Sequence, residues 1–360
     1  MADALLSPAV GATMWIASAG AIAFSSARLG REGDDRKAPL MGVLGAFLFA
    51  AQMINFSIPA TGSSGHLSGG LLLAILLGPC AAFLTIASVL VVQAFFFADG
   101  GLLALGCNIF NLGLLPAFIV FPLVYRKIVG GDPSRFRQTA ATMIAAVLAL
   151  QLGAFAVVLE TVGSGISALP FDKFLLLIQP IHLAIGLLEG AVTVAVISFV
   201  QRARPELLHA AVGVPAVRGS SRTPLLIAFL ACAVITGGCL SFFASKDPDG
   251  LEWAIARVTG KAELKAPEHG VHGALSWLQE KSAWFPDYGF RPAQAAAPSA
   301  EPVQEQTVNI ATGASGIIGT TLTLLLVLSA GFLLKKFSSG CRSPQSMKKT
   351  LLTKAAPDFR

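Results

Sequence analysis

The feature that most constrains this chain is a series of apolar runs, each roughly 20 residues long, separated by short clusters of charge. About 20 residues of helix cross the ~30 Å of hydrocarbon in a bilayer. The runs are continuously apolar and lack the in–out alternation of a barrel strand, so helices are the expected spanning elements. Only 13% of the 360 residues are charged, against about a quarter in a soluble domain. The sequence therefore predicts an all-α integral membrane protein.

The apolar runs divide into nine candidate spans. They are Pro8–Ala27, Pro39–Ser57, Gly70–Leu77, Cys80–Phe97, Leu102–Tyr125, Thr139–Thr161, Phe174–Val200, Pro224–Ala244 and Ser315–Leu334. Gly78-Pro79 separates the third from the fourth, because proline lacks the amide that a continuous helix needs. One kinked helix is the alternative, but it would place the basic loops on opposite sides of the membrane.

The basic loops also predict the orientation. With nine spans, most Lys and Arg residues fall on one side, which the positive-inside rule assigns to the cytoplasm. We expect a bacterial inner (plasma) membrane protein with its N-terminus outside and its C-terminus in the cytoplasm. The formal charge of +6 lies in loops that flank the spans. That distribution is typical of membrane orientation and argues against a nucleic-acid partner.

Four regions follow from the spacing of the spans. Residues 1–203 form a predicted seven-helix bundle, and 204–221 a cytoplasmic linker. Residues 222–337 form a two-helix unit around a long external segment, and 338–360 a basic cytoplasmic tail. The Ala/Pro/Glu/Gln-rich stretch 291–308 within the external segment is predicted to be a flexible tether.

A Gly/Ser-rich loop, residues 59–70, contains a single histidine, His66. An imidazole nitrogen is a good ligand for divalent nickel, cobalt, copper or zinc. A lone loop histidine is more often solvated or caps a backbone group, so both interpretations stay open on this residue alone.

Four amide side chains lie near the predicted outer ends of neighbouring spans. They are Asn55, Gln93, Asn108 and Asn111. Asn108 and Asn111 are three residues apart and share a helix face. Polar groups at membrane depth are costly unless paired, so these four are expected to point inward and converge. Interhelical hydrogen bonds that only hold the bundle together are the alternative.

His182 and Glu189 lie seven residues apart on the seventh span, on one helix face. An intramembrane carboxylate is a functional candidate, either as a proton relay or as half of an acid–base pair in an intramembrane enzyme. We favour a structural role, in which Glu189 is a partner for His182 or for a backbone group.

A stripe of small residues, Gly42, Ala46 and Ala50, runs along the second span. Small residues at four-residue spacing allow close helix contact. The stripe could dock a partner membrane subunit, or it could pack within the bundle.

Two further patterns bear on chemistry. The stretch Glu268-His269-Gly-Val-His272 is a weak candidate for a second metal site, although Gly270 and Gly273 argue against a stable helix there. The sequence contains no G-x-x-x-x-G-K-[ST] phosphate loop. If transport is driven by ATP, the motor is therefore expected on another polypeptide.

Several stretches together resemble the CbiM/NikM family over about residues 1–203. They are Met1–Pro8, Thr61–Leu67, Val92–Asn111 and His182–Gly190. The motif Pro248-Asp-Gly-Leu-Glu252 resembles the PDGLE domain. The resemblance implies the substrate-specific component of an energy-coupling-factor transporter for Ni²⁺ or Co²⁺, with no ATP bound to this chain. It also implies a transmembrane coupling subunit and two cytoplasmic ATP-binding subunits as partners.

The family resemblance further implies a set of metal ligands. In the family these are the N-terminal amine, a backbone amide, a histidine at the second position and the loop histidine. Carried over, Met1 and His66 are the expected ligands of Ni²⁺ or Co²⁺, which would be substrate. The expected surrounding residues are Ala2, Asp3, Asn55, Gln93, Asn108 and Asn111.

The start of this chain departs from the family pattern. Family members begin Met-His, whereas this chain begins Met1-Ala2. Aligning Leu6-Ser7-Pro8 with the usual Leu-Ser-Pro leaves only a leading Met-His pair unmatched. We expect the native chain to read Met-His-Met-Ala-Asp. If Met1 is the true start, a structural scaffold without metal binding becomes the alternative function.

Overall fold

The computed structural model describes residues 1–32, 37–131, 134–167, 169–204, 223–261, 264–290 and 301–340, and only the backbone of 301–309 and 335–340. The helices of the first region are α1 Pro8–Glu32, α2 Lys37–Gln52, α3 Gly70–Leu77, α4 Pro79–Phe96, α5 Leu105–Val129, α6 Arg135–Ser164 and α7 Phe171–Ala203. Those of the second region are α8 Thr223–Gly238, α9 Gly250–Thr259, α10 Gly270–Ser282 and α11 Glu301–Gly340. Every predicted span overlaps one of these helices.

The all-α membrane prediction is confirmed. Within the described residues, six helices are long and apolar enough to cross a membrane, namely α1, α4, α5, α6, α7 and α11. Large apolar side chains cover the exposed flanks of α6 and α7, including Ile144, Leu148, Leu152, Leu176, Leu183 and Leu187. Such a surface suits contact with lipid tails and not with water. The chain is thus a multi-pass membrane protein.

The segment between α2 and α4 differs from the prediction of a second span that reaches Ser57 and a short third span, Gly70–Leu77. Helix α2 ends at Gln52, and the chain continues into an antiparallel hairpin of β1 Phe56–Ile58 and β2 Ser63–Gly65. Helix α3 has only eight residues, about 12 Å of rise, so the helix by itself is too short to cross the bilayer. The predicted break before α4 is present, because Gly78 has φ +80° and separates two helices. All eight residues of α3 are buried among its neighbours.

Helix α5 is irregular, and its sequence explains why. From Phe110 to Tyr125 the turns are π-type, and this stretch contains Pro116 and Pro122. Proline has no amide hydrogen and cannot complete a regular α-helical ladder, so wider turns form there. The regular first turns of α5, from Leu105, carry Asn108.

The C-terminal helices α8 and α11 pack against α2 and against each other. Gly42 faces Leu324 and Leu328 of α11, and Ala46 and Ala50 are fully buried. Gly42 therefore contacts the chain's own C-terminal helix, and all three residues are buried and not available to dock a partner subunit. The other interpretation, packing within the chain, describes them correctly.

The polar segment, defined here as residues 245–290, contains α9 and α10. The argument against a helix at Gly270 and Gly273 was wrong, because α10 begins at the first and includes the second. The two histidines of the polar segment do not form the suggested metal pair. His269 is exposed, whereas His272 is buried with Nε2 2.8 Å from the Leu6 carbonyl oxygen.

The predicted boundaries of the tether, the linker and the tail can be compared with the structure only in part. Helix α11 begins at Glu301, so residues 301–308 of the predicted tether are helical. Residues 291–300 of that tether lie outside the described residues, as do 205–221 of the predicted linker and 341–360 of the predicted tail.

Close packing of α8 on α11 gives a test of the fold. A Cβ atom on Gly316 would overlap the carbonyl oxygen of Gly237. We expect Gly316→Ala to lower the free energy of unfolding by about 1–3 kcal/mol through overpacking, measured as thermal unfolding of the full chain in detergent. Gly20→Ala is the control, since Gly20 lies in a helix with nothing within 4 Å of its Cβ position. Equal stability of the two variants would contradict this packing.

Candidate metal site

A cavity of about 130 Å³ lies where the start of the chain, the β1–β2 hairpin and helices α5, α6 and α7 meet. About 10–15 Å³ is enough to hold one water molecule, so the cavity has room for an ion with part of its water shell. Its polar and charged lining comes from Met1, His66, Ser68, Asn108, Asn111, His182 and Asp249. Two of these, Met1 and His66, are the ligands implied by the family resemblance.

Backbone contacts with the α4–α5 loop hold the start of the chain beside this cavity. The Met1 carbonyl oxygen accepts a hydrogen bond from the Gly101 amide at 3.1 Å. The Asp3 carboxylate accepts one from the Ala104 amide at 2.9 Å. Gly101 has to lack a side chain, because the Asp3 carboxylate occupies the space of a Cβ. Asp3 therefore anchors the N-terminal segment, while Ala2 is exposed and does not line the cavity.

A buried carboxylate on α7 fixes the loop that follows His66. Glu189 is 1% exposed, and its Oε2 accepts a hydrogen bond from the Ser68 amide at 2.7 Å. Its Oε1 accepts from the Ser68 hydroxyl at 2.7 Å and from the Gly69 amide at 3.1 Å. Bonds to an ionised carboxylate are stronger than neutral ones. Glu189 thus fixes the position of His66 indirectly, by holding the backbone two residues further along the chain.

Gln93 reaches the same loop indirectly. Its amide donates to Gln52 Oε1 at 3.0 Å, and Gln52 donates to the Ser68 carbonyl at 2.9 Å. Gln52 was not singled out from the sequence. Asn55 is not among the residues that line the cavity, and its carbonyl accepts a hydrogen bond from the Ser245 amide of the polar segment at 2.7 Å.

Asn108 and Asn111 of α5 both line the cavity. Asn111 donates to Glu160 Oε2 of α6 at 2.8 Å. Glu160 is 8% exposed and was missed in the sequence analysis. It sits near the end of the sixth predicted span, where the rule that marks intramembrane carboxylates as functional candidates could have found it.

The structure does not pair His182 with Glu189. His182 Nδ1 lies 2.9 Å from the Ile178 carbonyl oxygen, one turn back on its own helix, and the ring borders the cavity. The described hydrogen bonds of Glu189 go to the loop at Ser68 and Gly69. The geometry therefore fits the favoured structural role for Glu189, with backbone groups as its partners.

His66 itself lies at the edge of the cavity, half-buried, with Nδ1 3.1 Å from the Leu67 carbonyl oxygen. Within the described residues, no three His, Cys, Asp or Glu side chains cluster closely enough to hold a metal ion. Main-chain nitrogen together with imidazole is the ligand set that the family resemblance implies. Such a nitrogen-rich set suits nickel or cobalt.

Comparison with known proteins gives the family. The profile of the CbiM family, described as a cobalt uptake substrate-specific transmembrane region, matches residues 1–207, and the PDGLE domain profile matches residues 223–336. The fused nickel transport protein NikMN of Rhodobacter capsulatus is 30% identical, covering 79% of this chain and 87% of that protein.

Two other relatives agree. A provisionally named fused nickel transport protein NikMN of Archaeoglobus fulgidus is 30% identical over 93% of this chain and 98% of its own length. The cobalt transport protein CbiM of Sorangium cellulosum is 32% identical over 52% of this chain and 84% of its own length. The chain therefore belongs to the CbiM family and carries a PDGLE domain fused at its C-terminal end.

Proposed function

We propose that this chain is the substrate-binding component of an ATP-driven importer of Ni²⁺ or Co²⁺. The observation that carries the proposal is that Met1 and His66 line one cavity although 64 residues separate them. The relatives named as nickel and cobalt transport proteins support the class of substrate.

The proposed chemistry is capture of the cation by nitrogen ligands near the outer face of the membrane. The His66 imidazole and the amine of the N-terminal segment bind the ion through their nitrogen lone pairs. Asn108 and Asn111 orient the ligands as hydrogen-bonding neighbours. Asp3 and Glu189 do not contact the ion; they position its ligands by holding the neighbouring backbone segments through hydrogen bonds.

The family resemblance supports the partners of this proposal. A transmembrane coupling subunit and two cytoplasmic ATP-binding subunits would supply the energy for inward release, with the N-terminus of this chain outside and its C-terminus in the cytoplasm. No observation favours the intramembrane enzyme, since His182 and Glu189 are each bonded elsewhere.

Replacement of His66 tests the ligand assignment. We expect His66→Ala to weaken Ni²⁺ and Co²⁺ binding by more than the roughly 10- to 100-fold that loss of an outer-shell partner costs, measured by calorimetry on purified full-length protein. His269→Ala is the control, because it removes an exposed imidazole from the polar segment. Unchanged affinity in His66→Ala, or equal loss in both variants, would defeat the assignment.

An added N-terminal Met-His pair provides a second test. We expect a version with Met-His placed before Met1 to bind Ni²⁺ more tightly than the sequence as printed, because it adds an imidazole and an amide nitrogen next to the amine. The same calorimetric titration compares the two versions. Equal or weaker binding by the extended version would argue that the Met-His pair has no place in this site.

Replacement of Glu189 tests the anchoring of the loop. In Glu189→Gln an amide NH₂ would replace one acceptor oxygen and face the donors of Ser68 and Gly69. We expect a loss of about 1.5–3 kcal/mol in the free energy of unfolding and faster hydrogen exchange in residues 66–70. Asp172→Asn, at the exposed start of the same helix, should change neither. Unaltered exchange in Glu189→Gln would refute the anchoring role.

A further inference from the structure

One wall of the metal cavity belongs to the PDGLE domain. Asp249, Gly250 and Leu251, in the middle of the Pro248–Glu252 motif, line the same cavity as Met1 and His66. Asp249 is the sole carboxylate among the described residues of the lining. The neighbours of this acidic group are imidazoles, amides, a hydroxyl and apolar side chains.

The motif is fixed to the hairpin that precedes His66. The Ser64 amide donates to the Pro248 carbonyl at 2.8 Å, and the Ser64 hydroxyl donates to the Asp247 carbonyl at 2.8 Å. The Trp253 indole donates to the Thr61 carbonyl at 3.0 Å. The backbone on either side of Asp249 is therefore tied to the backbone two to five residues before His66.

The start of α9 also lies directly on α7. A Cβ on Gly250 would come within 2.6 Å of Ile181 Cγ2 and 3.5 Å of His182 Cε1. A glycine is needed for this approach. Because the backbone at Gly250 lies against side chains of α7, the residue before Gly250 is held in the lining of the cavity beside α7.

Local structure sets the conformation of Asp249. Its Oδ1 accepts a hydrogen bond from the Glu252 amide at 2.8 Å, which caps α9, and its own amide donates to Glu252 Oε2 at 3.4 Å. This reciprocal capping box orders the first turn of the helix. The carboxylate thus has a fixed place in the fold and does not swing freely in solvent.

The rest of the polar segment is docked at several other points around the same end of the bundle. His272 Nε2 lies 2.8 Å from the Leu6 carbonyl oxygen, and the Gln279 amide donates to the Gly100 carbonyl at 2.7 Å. The backbone amide of Trp284 donates to the Phe96 carbonyl at 2.9 Å. These contacts reach the N-terminal segment, the end of α4 and the α4–α5 loop. The PDGLE domain is therefore held firmly in place where it forms part of the cavity wall.

We propose that Asp249 is the charged residue that draws the divalent cation into this cavity, and so that the PDGLE domain contributes directly to metal capture. This inference rests on the proposed function. A carboxylate beside a mostly apolar cavity interacts with a cation more strongly than one in open water, because little solvent screens the charge. No three acidic, histidine or cysteine side chains of the described residues cluster as a metal site, and Asp249 accordingly attracts the hydrated ion without replacing His66 as ligand.

The test removes the charge and keeps the cap. Asparagine caps a helix about as well as aspartate, so Asp249→Asn should leave α9 intact and weaken Ni²⁺ or Co²⁺ binding to the full-length chain by about tenfold. Asp247→Asn is the matched control. It removes the same charge two residues away, where the side chain is exposed and contacts Ser57 and Ser245. Its affinity should stay within about twofold of the parent chain.

The outcomes separate this inference from the proposed function. Parent protein that binds neither ion, either as printed or with Met-His placed before Met1, would overturn both. Parent protein that binds, with Asp249→Asn binding equally well or with both variants weakened alike, would overturn only the role of Asp249. If Asp249→Asn lowers the thermal unfolding temperature, Asp249→Ser repeats the test with another capping side chain, and parent-like affinity in a stable variant overturns the inference.

Discussion

The contact on which the candidate site depends is the triple hydrogen bond between Glu189 and the loop at Ser68 and Gly69. The carboxylate is almost completely buried, and burial of such a group is costly unless donors surround it. Two backbone amides and a hydroxyl provide those donors. The hydrogen bonding of Glu189 and the placement of His66 are therefore coupled, because the loop cannot move without depriving a buried carboxyl group of its hydrogen-bond donors.

A second constraint comes from the short helices. α2 and α3 are too short to serve as ordinary spans, and α3 is buried on every side. The room left beyond the end of α2 is occupied by the hairpin, and α8 and α11 cover the flank of α2 where Gly42 lies. The CbiM and PDGLE parts of the chain consequently share one packed interior, and the small residues that suggested a partner subunit serve this internal contact.

The extent of sequence-based prediction follows from the length scale of each feature. Membrane helices are recognisable from the sequence because each needs about 20 consecutive apolar residues. The break at Gly78-Pro79 was predicted because proline lacks the amide that a continuous helix needs. The hairpin was missed, since strands of three residues are too short to show alternation. The meeting of Met1 with His66 was expected only from family resemblance. Glu160 lies near the end of a predicted span and could have been found by the rule that marks intramembrane carboxylates. The place of Asp249 beside the cavity is visible only in the folded chain, because the other lining residues are distant from it in sequence.

The construction of the cavity indicates what fusion of the two domains would contribute to the proposed metal capture. Met1, His66 and Asp249 belong to three separate stretches, and each is held by hydrogen bonds to a neighbouring segment and not by its own helix. In an unfused pair of proteins the third stretch would have to associate before the cavity was complete, at a cost in entropy. Covalent linkage replaces that association with an intramolecular docking step at high effective concentration. The hydrogen bonds from Ser64 to the carbonyls of residues 247 and 248 fix the position of the docked domain relative to His66.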